Sequence, residues 1–369
     1  MTAGVQDERL AALLGRAARE VDEGRIPSCQ LAVARGGELV HVATLGDATD
    51  DSRYLVYSVT KALVAAAVWV AIADGVLAPD TLVSSHIEAF ARPGFDRVTL
   101  EHLLTHTAGF PRAPLPAREG ATSAGRTTWF ETWRLDWEPG TQTEYHPTSA
   151  HWVVAELLER ATGVDYRSFV RRRVIDPLGL SRLRLGVPLD EQGDMVTAVP
   201  VGTGEADTEL APVVVTLDGL LQMDQPDVRA IGVPGAGAVS TAGDIALLYQ
   251  AFLHNPGGLW DPAVLADATG HIRNALPDPW TKVPANRTLG LVLAGDDGNA
   301  AMRDGLGRSV GPRAFGAAGA SGQVAWADPD TGLSFCYLTN GVESDQARSF
   351  LRSSSVSSLA GRLLLESVP

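Results

Sequence analysis

The chain has 369 residues, of which 45% are apolar, and a formal net charge of −14 at pH 7. This length exceeds what one simple hydrophobic core usually serves, so we expect two packed lobes or one large domain with an insertion. The negative charge, with no local basic cluster to offset it, argues against nucleic acid and anionic membranes as partners.

The N-terminal segment is predicted to form an amphipathic surface helix, because Leu10, Leu13, Leu14 and Ala17 recur at helical intervals between charged residues. It lacks the uninterrupted apolar core and the cleavage site of a secretory signal. The apolar run 62–73 is too short to cross a bilayer. These features predict a soluble cytoplasmic protein with no membrane partner.

A hairpin and a buried helix follow. The runs CQLAVARGG and ELVHVATLG predict two strands that turn at Gly36-Gly37. The helix is expected to begin near Ser58 and to stop at Asp74-Gly75. Because it is apolar on all sides, it should be buried on all sides.

The middle of the chain, residues 81–230, is predicted to be a mixture of helices and long loops. Helices are expected at 98–107, 148–162 and 165–175. The stretches 111–127 and 186–230 are rich in Pro, Gly and Thr and show no clear period. Long loops in a compact protein usually border a site, so we expect these two stretches near one.

Strand patterns return near the C-terminus in RTLGLVLAG and GQVAWADPDTGLSFCYLTNG, where residues 328–332 predict a tight turn. A last helix is expected at about 344–367. The predicted fold is α+β, with an antiparallel β-sheet built from both termini, flanked by helices, plus an inserted and mostly helical domain. The expected domains are 1–80 with 231–369 for the sheet and 81–230 for the helices.

The two cysteines, Cys29 and Cys336, lie in strand-like apolar runs and show no metal-ligand spacing. They are therefore predicted to be small core residues of a protein in a reducing compartment. A disulfide between them remains an alternative at this point.

Lysine is rare in this chain, since 28 of its 30 basic residues are arginines and the exceptions are Lys61 and Lys282. Arginine cannot lose its proton in a protein, whereas a buried lysine can. Lys282 lies in a polar stretch that is typical of the surface. Lys61 instead follows Ser58 by three residues, so both side chains share one face of the predicted buried helix.

This Ser-x-x-Lys pair predicts a nucleophile and its base. Burial and the positive end of the helix dipole both favour the neutral amine of Lys61, which can accept the hydroxyl proton of Ser58. Free backbone N–H groups at the helix start can receive an oxyanion. Tyr145 stands in a loop just before a helix, from which a phenol can reach into a cleft. Taken alone, Tyr145 is more typical of a half-buried core residue.

Five blocks together resemble the serine β-lactamase-like superfamily, in particular the branch of class C β-lactamases and family VIII carboxylesterases. In chain order they are YSVTK, VTLEHLLTHTAGFP, PGTQTEYHPTSAHWVVAELLERATG, GAVSTAGD and FGAAGASGQVAWADPDTGLSFCYLTN. The resemblance implies an antiparallel sheet with a helical lobe and an active site at their junction. It implies that Ser58 is the nucleophile, Lys61 its base and Tyr145 the proton shuttle. The implied oxyanion hole is the backbone N–H of Ser58 with that of Ala320, and no metal or cofactor is required.

Two departures from the family pattern bear on the substrate. The second motif, commonly Tyr-x-Asn, here continues from Tyr145 into His146 and Pro147. The third motif, Lys-Thr-Gly in β-lactamases, reads AAG and ends at Gly319, so it has no cation to bind a substrate carboxylate. Gly319 still lets a substrate approach the strand closely. Both departures favour a neutral ester over a β-lactam.

Several other side chains are candidates for a functional role. His102 and His106 are four residues apart, but Leu103 stands where a zincin has Glu, which favours structural histidines. Tyr57 and His146 are further candidates for substrate contact. No Gly-x-Ser-x-Gly elbow occurs, which argues against an α/β-hydrolase. The aromatic cluster comprises Trp129, Phe130, Trp133 and Trp137, and its spacing favours a core stripe, with an acyl-binding wall as the alternative.

The function predicted from the sequence is that of a serine carboxylesterase that cleaves small or short-chain esters through an acyl-enzyme on Ser58. The alternatives are an amide hydrolase of the β-lactamase or D-aminopeptidase type, and an acyltransferase that uses the same acyl-enzyme. A non-catalytic binding protein that keeps the fold is a further alternative. The expected partner is a small-molecule ester, and the oligomeric state is left open.

Overall fold

The computed structural model describes residues 4–202 and 215–364. In chain order its strands are β1 (Ser28–Arg35), β2 (Glu38–Gly46), β3 (Tyr54–Leu55), β4 (Arg184–Leu185), β5 (Val199–Val201), β6 (Ala238–Ser240), β7 (Val292–Leu293), β8 (Phe315–Gly319), β9 (Gln323–Asp328), β10 (Leu333–Thr339) and β11 (Gly341–Glu343).

The helices are α1 (Asp7–Asp22), α2 (Thr60–Ala73), α3 (Leu100–Leu104), α4 (Ala117–Gly120), α5 (Ser123–Thr132), α6 (Ser149–Thr162), α7 (Tyr166–Val170), α8 (Leu217–Met223), α9 (Pro226–Ile231), α10 (Ala242–His254), α11 (Pro262–Gly270) and α12 (Gln346–Ala360).

The main sheet is antiparallel and joins the two ends of the chain. Within the described ranges it has six strands in the order β2-β1-β10-β9-β8-β7. The register pairs Leu31 with Tyr337 and Phe335 with Trp326. The predicted hairpin at Gly36-Gly37 is confirmed, and so is the predicted α+β fold class.

Side-chain alternation along β1 explains why helices cover both faces of this sheet. Leu31 and Val33 pack with residues of α1 and α12, whereas Ala32 and Ala34 belong to the larger core that contains α2 and α10. Successive strand residues point to opposite faces, so an apolar strand of this kind needs cover on both.

Helix α2 lies at the centre of the larger core. Its residues from Thr60 to Ala71 are all buried, as expected for a helix that is apolar all round. It contacts β8 on one side and α6, α7 and α11 on others. The helix begins two residues later than predicted, because Tyr57–Val59 form a 3-10 turn that contains Ser58.

Several predicted boundaries in the middle of the chain are corrected. The helix expected at 98–107 is limited to α3, where the Thr99 side chain accepts from the His102 N–H and His102 Nδ1 accepts from the Thr99 N–H. The helix expected at 165–175 is α7 followed by a π-helical turn, Arg171–Ile175. The supposed loop 111–127 holds α4 and the start of α5. Helices this short bury too few residues to show a clear period.

The second supposed loop, 186–230, holds β5, α8 and α9, and its residues 203–214 lie outside the described ranges. Near the C-terminus, the strand predicted from RTLGLVLAG is reduced to β7. The last helix ends at Ala360 rather than near 367, where part of the predicted span is not described.

Both cysteines are buried and free, so Cys29 and Cys336 do not form the disulfide that was the alternative. Burial raises the pKa of the Cys29 thiol to about 12, so this thiol stays protonated and unreactive.

A smaller sheet, β3-β6-β4, joins segments from both sides of the predicted domain boundaries, and those boundaries stay predictions. Across residues 4–202 and 215–364, no helix combines the length and the apolar character needed to span a bilayer.

Candidate active site

The turn that carries Ser58 is held in an unusual conformation. Tyr57 has φ +44°, a left-handed value that is rare for a bulky residue and that clusters at functional sites. Tyr57 is only 3% exposed, and its hydroxyl donates to the Leu220 carbonyl at 3.3 Å. On the other side of Ser58, the Thr60 hydroxyl accepts from the Ala238 N–H at 2.9 Å. The turn is therefore anchored on both sides of the serine.

Lys61 touches Ser58 directly. Its Nζ lies 3.1 Å from Ser58 Oγ, 2.8 Å from the Pro147 carbonyl and 2.7 Å from the Gly235 carbonyl. Carbonyl oxygens only accept hydrogen bonds, and a neutral amine has two N–H groups and one lone pair. With both N–H groups given to the carbonyls, the lone pair of Lys61 is left for the Ser58 hydroxyl.

The protonation state of Lys61 fits this geometry. The side chain is 4% exposed, and its burial, helped by the positive charge of Arg287, lowers its pKa from about 10.5 to about 7. Burial disfavours the charged form because an ammonium loses its hydration there. At neutral pH a large share of Lys61 is consequently the free amine.

Tyr145 completes the group. Its ring centre lies 4.9 Å from Lys61 Nζ, and it lines the same cleft as Ser58. Burial raises the pKa of the phenol, so the hydroxyl keeps its proton at neutral pH. The structure thus brings together the three residues that the motifs singled out.

The loop that presents Tyr145 is fastened by two buried histidines. The His146 N–H donates to His106 Nδ1 at 3.2 Å, and His146 Nε2 accepts from the Phe110 N–H at 3.2 Å. His146 Nδ1 lies 2.6 Å from the Glu144 carbonyl. Burial lowers the pKa of His146 to about 4 and that of His106 well below its usual range, so both are neutral.

His146 therefore differs from its predicted place in the site. It is fully buried, both ring nitrogens are engaged with the protein, and it is not part of the cleft wall. It supports the Tyr145 loop and does not face a substrate. Tyr57 does line the cleft, together with Ser58 and Tyr145.

The end of β8 lines the same cleft as Tyr145. Gly319 and Ala320 line the wall beside Ser58. A Cβ atom on Gly319 would lie 2.6 Å from the Val56 carbonyl, so only glycine allows the strand to approach the Ser58 turn this closely. Ala320 follows Gly319 and lines the same cleft as Ser58, and the oxyanion hole that pairs their N–H groups stays a prediction.

The cleft has a volume of about 280 Å³ and an apolar outer wall. Trp280 and Phe350 meet edge to face in this wall, with ring centres 6.0 Å apart. Leu220 and Met223 of α8 also contribute to it, so the stretch 186–230 borders the site as expected.

The aromatic cluster predicted around 129–137 is different. Phe130 and Trp133 are buried and pack with Phe90 and Phe110. No member of that cluster is among the described residues that line the cleft, so the cluster is core and its alternative as an acyl-binding wall is not supported. The sequence gives no signal for Trp280 and Phe350, because they lie far apart in the chain.

The cleft also contains a cation that the motifs did not reveal. The Arg287 guanidinium carbon lies 5.6 Å from the centre of the Tyr145 ring. Its two terminal nitrogens lie 3.1 and 3.2 Å from the carboxylate oxygens of Asp304. Arg287 lies well before Ala317, where the third motif starts, so no motif spacing points to it.

Two solved structures share this fold. A novel penicillin-binding protein homolog from Caulobacter crescentus has a TM-score of 0.77 at 24% identity, with 97% of this chain and 98% of that chain covered. A family VIII carboxylesterase has a TM-score of 0.76 at 22% identity, with 95% and 98% covered. Both likenesses show that the chain shares this fold, in which Ser58, Lys61 and Tyr145 adjoin one another.

Sequence comparison identifies the family. The family described as Beta-lactamase matches residues 13–354. Esterase EstB of Burkholderia gladioli is 30% identical over 307 residues, which cover 70% of this chain and 73% of EstB. A protein of Escherichia coli O157:H7, provisionally named as a D-alanyl-D-alanine carboxypeptidase, is 25% identical over 297 residues. That alignment covers 72% of this chain and 64% of the relative, which is less than two thirds of its length. The chain belongs to the beta-lactamase family, as the resemblance of its motifs predicted.

Proposed function

We propose that this protein is a carboxylesterase that cleaves small, neutral esters through an acyl-enzyme on Ser58. The observation that carries the proposal is the environment of Lys61. Two carbonyl acceptors take its N–H groups, and its lone pair is left for the hydroxyl of Ser58. A serine becomes an effective nucleophile when an adjacent base of suitable pKa can remove its proton.

The chemistry proceeds in two halves. Ser58 Oγ attacks the ester carbonyl carbon while its proton passes to Lys61 Nζ, and the N–H groups of Ser58 and Ala320 receive the negative oxygen. The C–O bond to the alcohol then breaks, and the departing alkoxide takes the proton from the Tyr145 hydroxyl, which Lys61 reprotonates. A water molecule, deprotonated by the same groups, attacks the acyl-enzyme and releases the acid and the free Ser58 hydroxyl.

Four observations support a neutral ester as the substrate. The third motif, AAG, supplies no cation for a carboxylate. Among the described residues, the two cations that line the cleft are already paired, Arg287 with Asp304 and Arg303 with Asp297. The outer wall is apolar, with Trp280, Met302 and Phe350. EstB, the relative at 30% identity, is named as an esterase.

Covalent labelling tests the nucleophile. A fluorophosphonate probe should label the peptide that contains Ser58, and Ser58→Ala should remove the label. Ser321→Ala is the matched control, because Ser321 is a buried serine of the same cleft whose hydroxyl has no partner among the described residues. Labelling that survives Ser58→Ala would disprove the acyl-enzyme assignment, and absence of any label would favour a non-catalytic binding protein.

A substrate panel separates the possible activities. Aryl esters of graded acyl length should be hydrolysed with a burst of alcohol release, and nitrocefin and D-alanyl peptides should be turned over far more slowly. Faster turnover of nitrocefin or of the peptides would replace the esterase proposal by an amide hydrolase. Acyl transfer would appear as a new ester when a small alcohol is added.

The pH dependence follows from Lys61. Because its pKa is lowered to about 7 and the free amine is the active form, kcat/KM for a neutral ester should fall below pH 7 by about tenfold per pH unit. The raised pKa of Tyr145 predicts no loss on the alkaline side up to about pH 9. Rates of acetate or butyrate ester hydrolysis from pH 5 to pH 9 measure both limbs. A profile that stays flat down to pH 5 would rule out Lys61 as the base.

A further inference from the structure

Two opposite charges stand beside the proposed catalytic group without taking part in its chemistry. They are the cleft residues Arg287 and Asp304, whose side chains are 14% and 22% exposed. The guanidinium contacts the ring of Tyr145, and the carboxylate contacts the guanidinium in a two-point arrangement. Such an arrangement fixes the direction of both side chains.

The backbone of Arg287 is tied to the loop that presents Tyr145. Arg287 exchanges backbone hydrogen bonds with Asn274, at 3.0 and 3.1 Å. The Asn274 side chain in turn donates to the Thr105 carbonyl and to the Thr143 hydroxyl, both at 2.9 Å. Thr143 is two residues before Tyr145. These hydrogen bonds fix the backbone of Arg287 relative to the loop that carries the Tyr145 phenol.

Arg287 and Lys61 are two cations that share one aromatic neighbour. The Tyr145 ring centre lies 4.9 Å from Lys61 Nζ and 5.6 Å from the Arg287 guanidinium carbon. Like charges repel strongly in a partly dry cleft, and of these two groups only the lysine can give up its proton. A fixed positive charge also stabilises negative charge on the phenol oxygen while Tyr145 passes its proton on.

The remaining titratable neighbours of Lys61 add no charge to its surroundings. The three buried histidines close to Lys61 are His106, His146 and His151, and burial holds the pKa of each below its usual range. They carry no charge at neutral pH. Within the described part of the chain, the charged side chains whose fields act on Lys61 are Arg287 and Asp304, in opposite directions.

We propose that Arg287 and Asp304 are a positioning pair that sets the charge balance of the Ser58-Lys61-Tyr145 group. Arg287 adds to the effect of burial in favouring the neutral lysine and favours proton release by the phenol, and Asp304 limits that effect and holds the guanidinium in place. This inference rests on the proposed function, because it requires Lys61 to act as the base.

The test is the acidic limb of kcat/KM for a neutral aryl ester, measured from pH 5 to pH 9. Arg287→Gln should move this limb upward by about one pH unit, which lowers the rate at pH 6 by about tenfold and leaves the rate at pH 9 within about threefold. Arg287→Lys, which keeps the charge, should restore much of the wild-type profile. Asp304→Asn should move the limb downward.

Two further variants make the result decisive. The double variant Arg287→Gln/Asp304→Asn separates loss of the cation from exposure of an unpaired carboxylate, and its limb should lie between those of the single variants. Arg173→Gln is the matched control, because Arg173 forms a similar two-point pair with Asp74 on the surface, with distances of 2.7 and 3.1 Å. It should leave the profile unchanged.

A purely structural role would lower the rate of the Arg287 variants equally at every pH. An unshifted limb in Arg287→Gln and in Asp304→Asn would overturn the inference. Should Arg287→Gln not fold, Asp304→Asn still tests it by the opposite shift. The proposed function would fail on a different result, namely that the fluorophosphonate probe does not label Ser58 in the wild-type protein. The two failures are therefore distinguishable.

Discussion

Replacing Lys61 by arginine is expected to lower kcat/KM for a neutral ester by about 10⁴-fold, at every pH at which the protein is folded. Arginine keeps a positive charge and a long side chain, but it cannot release its proton and so cannot accept one from Ser58. Lys61 Nζ contacts Ser58 and two carbonyls, and arginine could only donate hydrogen bonds to them. No lone pair would remain to accept the proton of Ser58.

The chain supplies a matched control for this change. Lys282 is the other lysine of the sequence, and its exposed side chain donates to the Pro279 carbonyl at 2.5 Å. Lys282→Arg makes the same chemical change and should keep wild-type kcat/KM. Steady-state rates with an aryl butyrate between pH 6 and pH 9 measure the difference. If Lys61→Arg retained a tenth of wild-type activity, another group would have to be the base.

Gly319→Ala is expected to lower kcat by about 10²–10³-fold, the usual effect of losing one oxyanion donor. The new Cβ would stand 2.6 Å from the Val56 carbonyl and 3.0 Å from Gln323 Cβ. Both neighbours belong to tightly packed backbone segments, so the end of β8 must move away from the Ser58 turn. That movement would separate the N–H of Ala320 from the N–H of Ser58, and the proposed oxyanion hole needs both at one oxygen.

The matched control is Gly15→Ala on α1, where an added Cβ meets nothing within 4 Å. It should keep wild-type kcat. The rate should be normalised to the fraction of Ser58 that a fluorophosphonate titrates, and thermal unfolding should be followed for both variants. Wild-type kcat in Gly319→Ala would exclude the end of β8 from the oxyanion hole.

Much of the site could be predicted because its parts are local. Ser58 and Lys61 are one helical turn apart, so their contact follows from spacing alone. The apolar run after them predicted α2, although its first turn proved to be a 3-10 turn. Tyr145 was recognised from an ordered series of motifs and not from its own position. Without that series, the sequence would have favoured a half-buried core role for Tyr145.

One expectation about the cleft was wrong for a physical reason. Because His146 follows Tyr145, the sequence makes it a candidate for substrate contact, yet its ring points into the core towards Phe110. The cluster around Trp133 also leads into the Tyr145 loop, and there the structure confirms the core stripe that its spacing favours over the alternative of an acyl-binding wall. Adjacency in sequence does not say which side of a backbone faces the cleft.

The sequence by itself determined the α+β class, the hairpin and turn positions, the buried helix and the Ser58-Lys61 pair at its start. The fold class follows from the order of the elements along the chain, and the others depend on residues within a few positions of one another, where spacing dictates geometry. The tertiary structure decided which distant side chains surround that pair. The carbonyls of Pro147 and Gly235, the charges of Arg287 and Asp304, and the wall of Trp280 and Phe350 meet it only through folding. Their approach is set by the packing of whole elements, which no local pattern encodes.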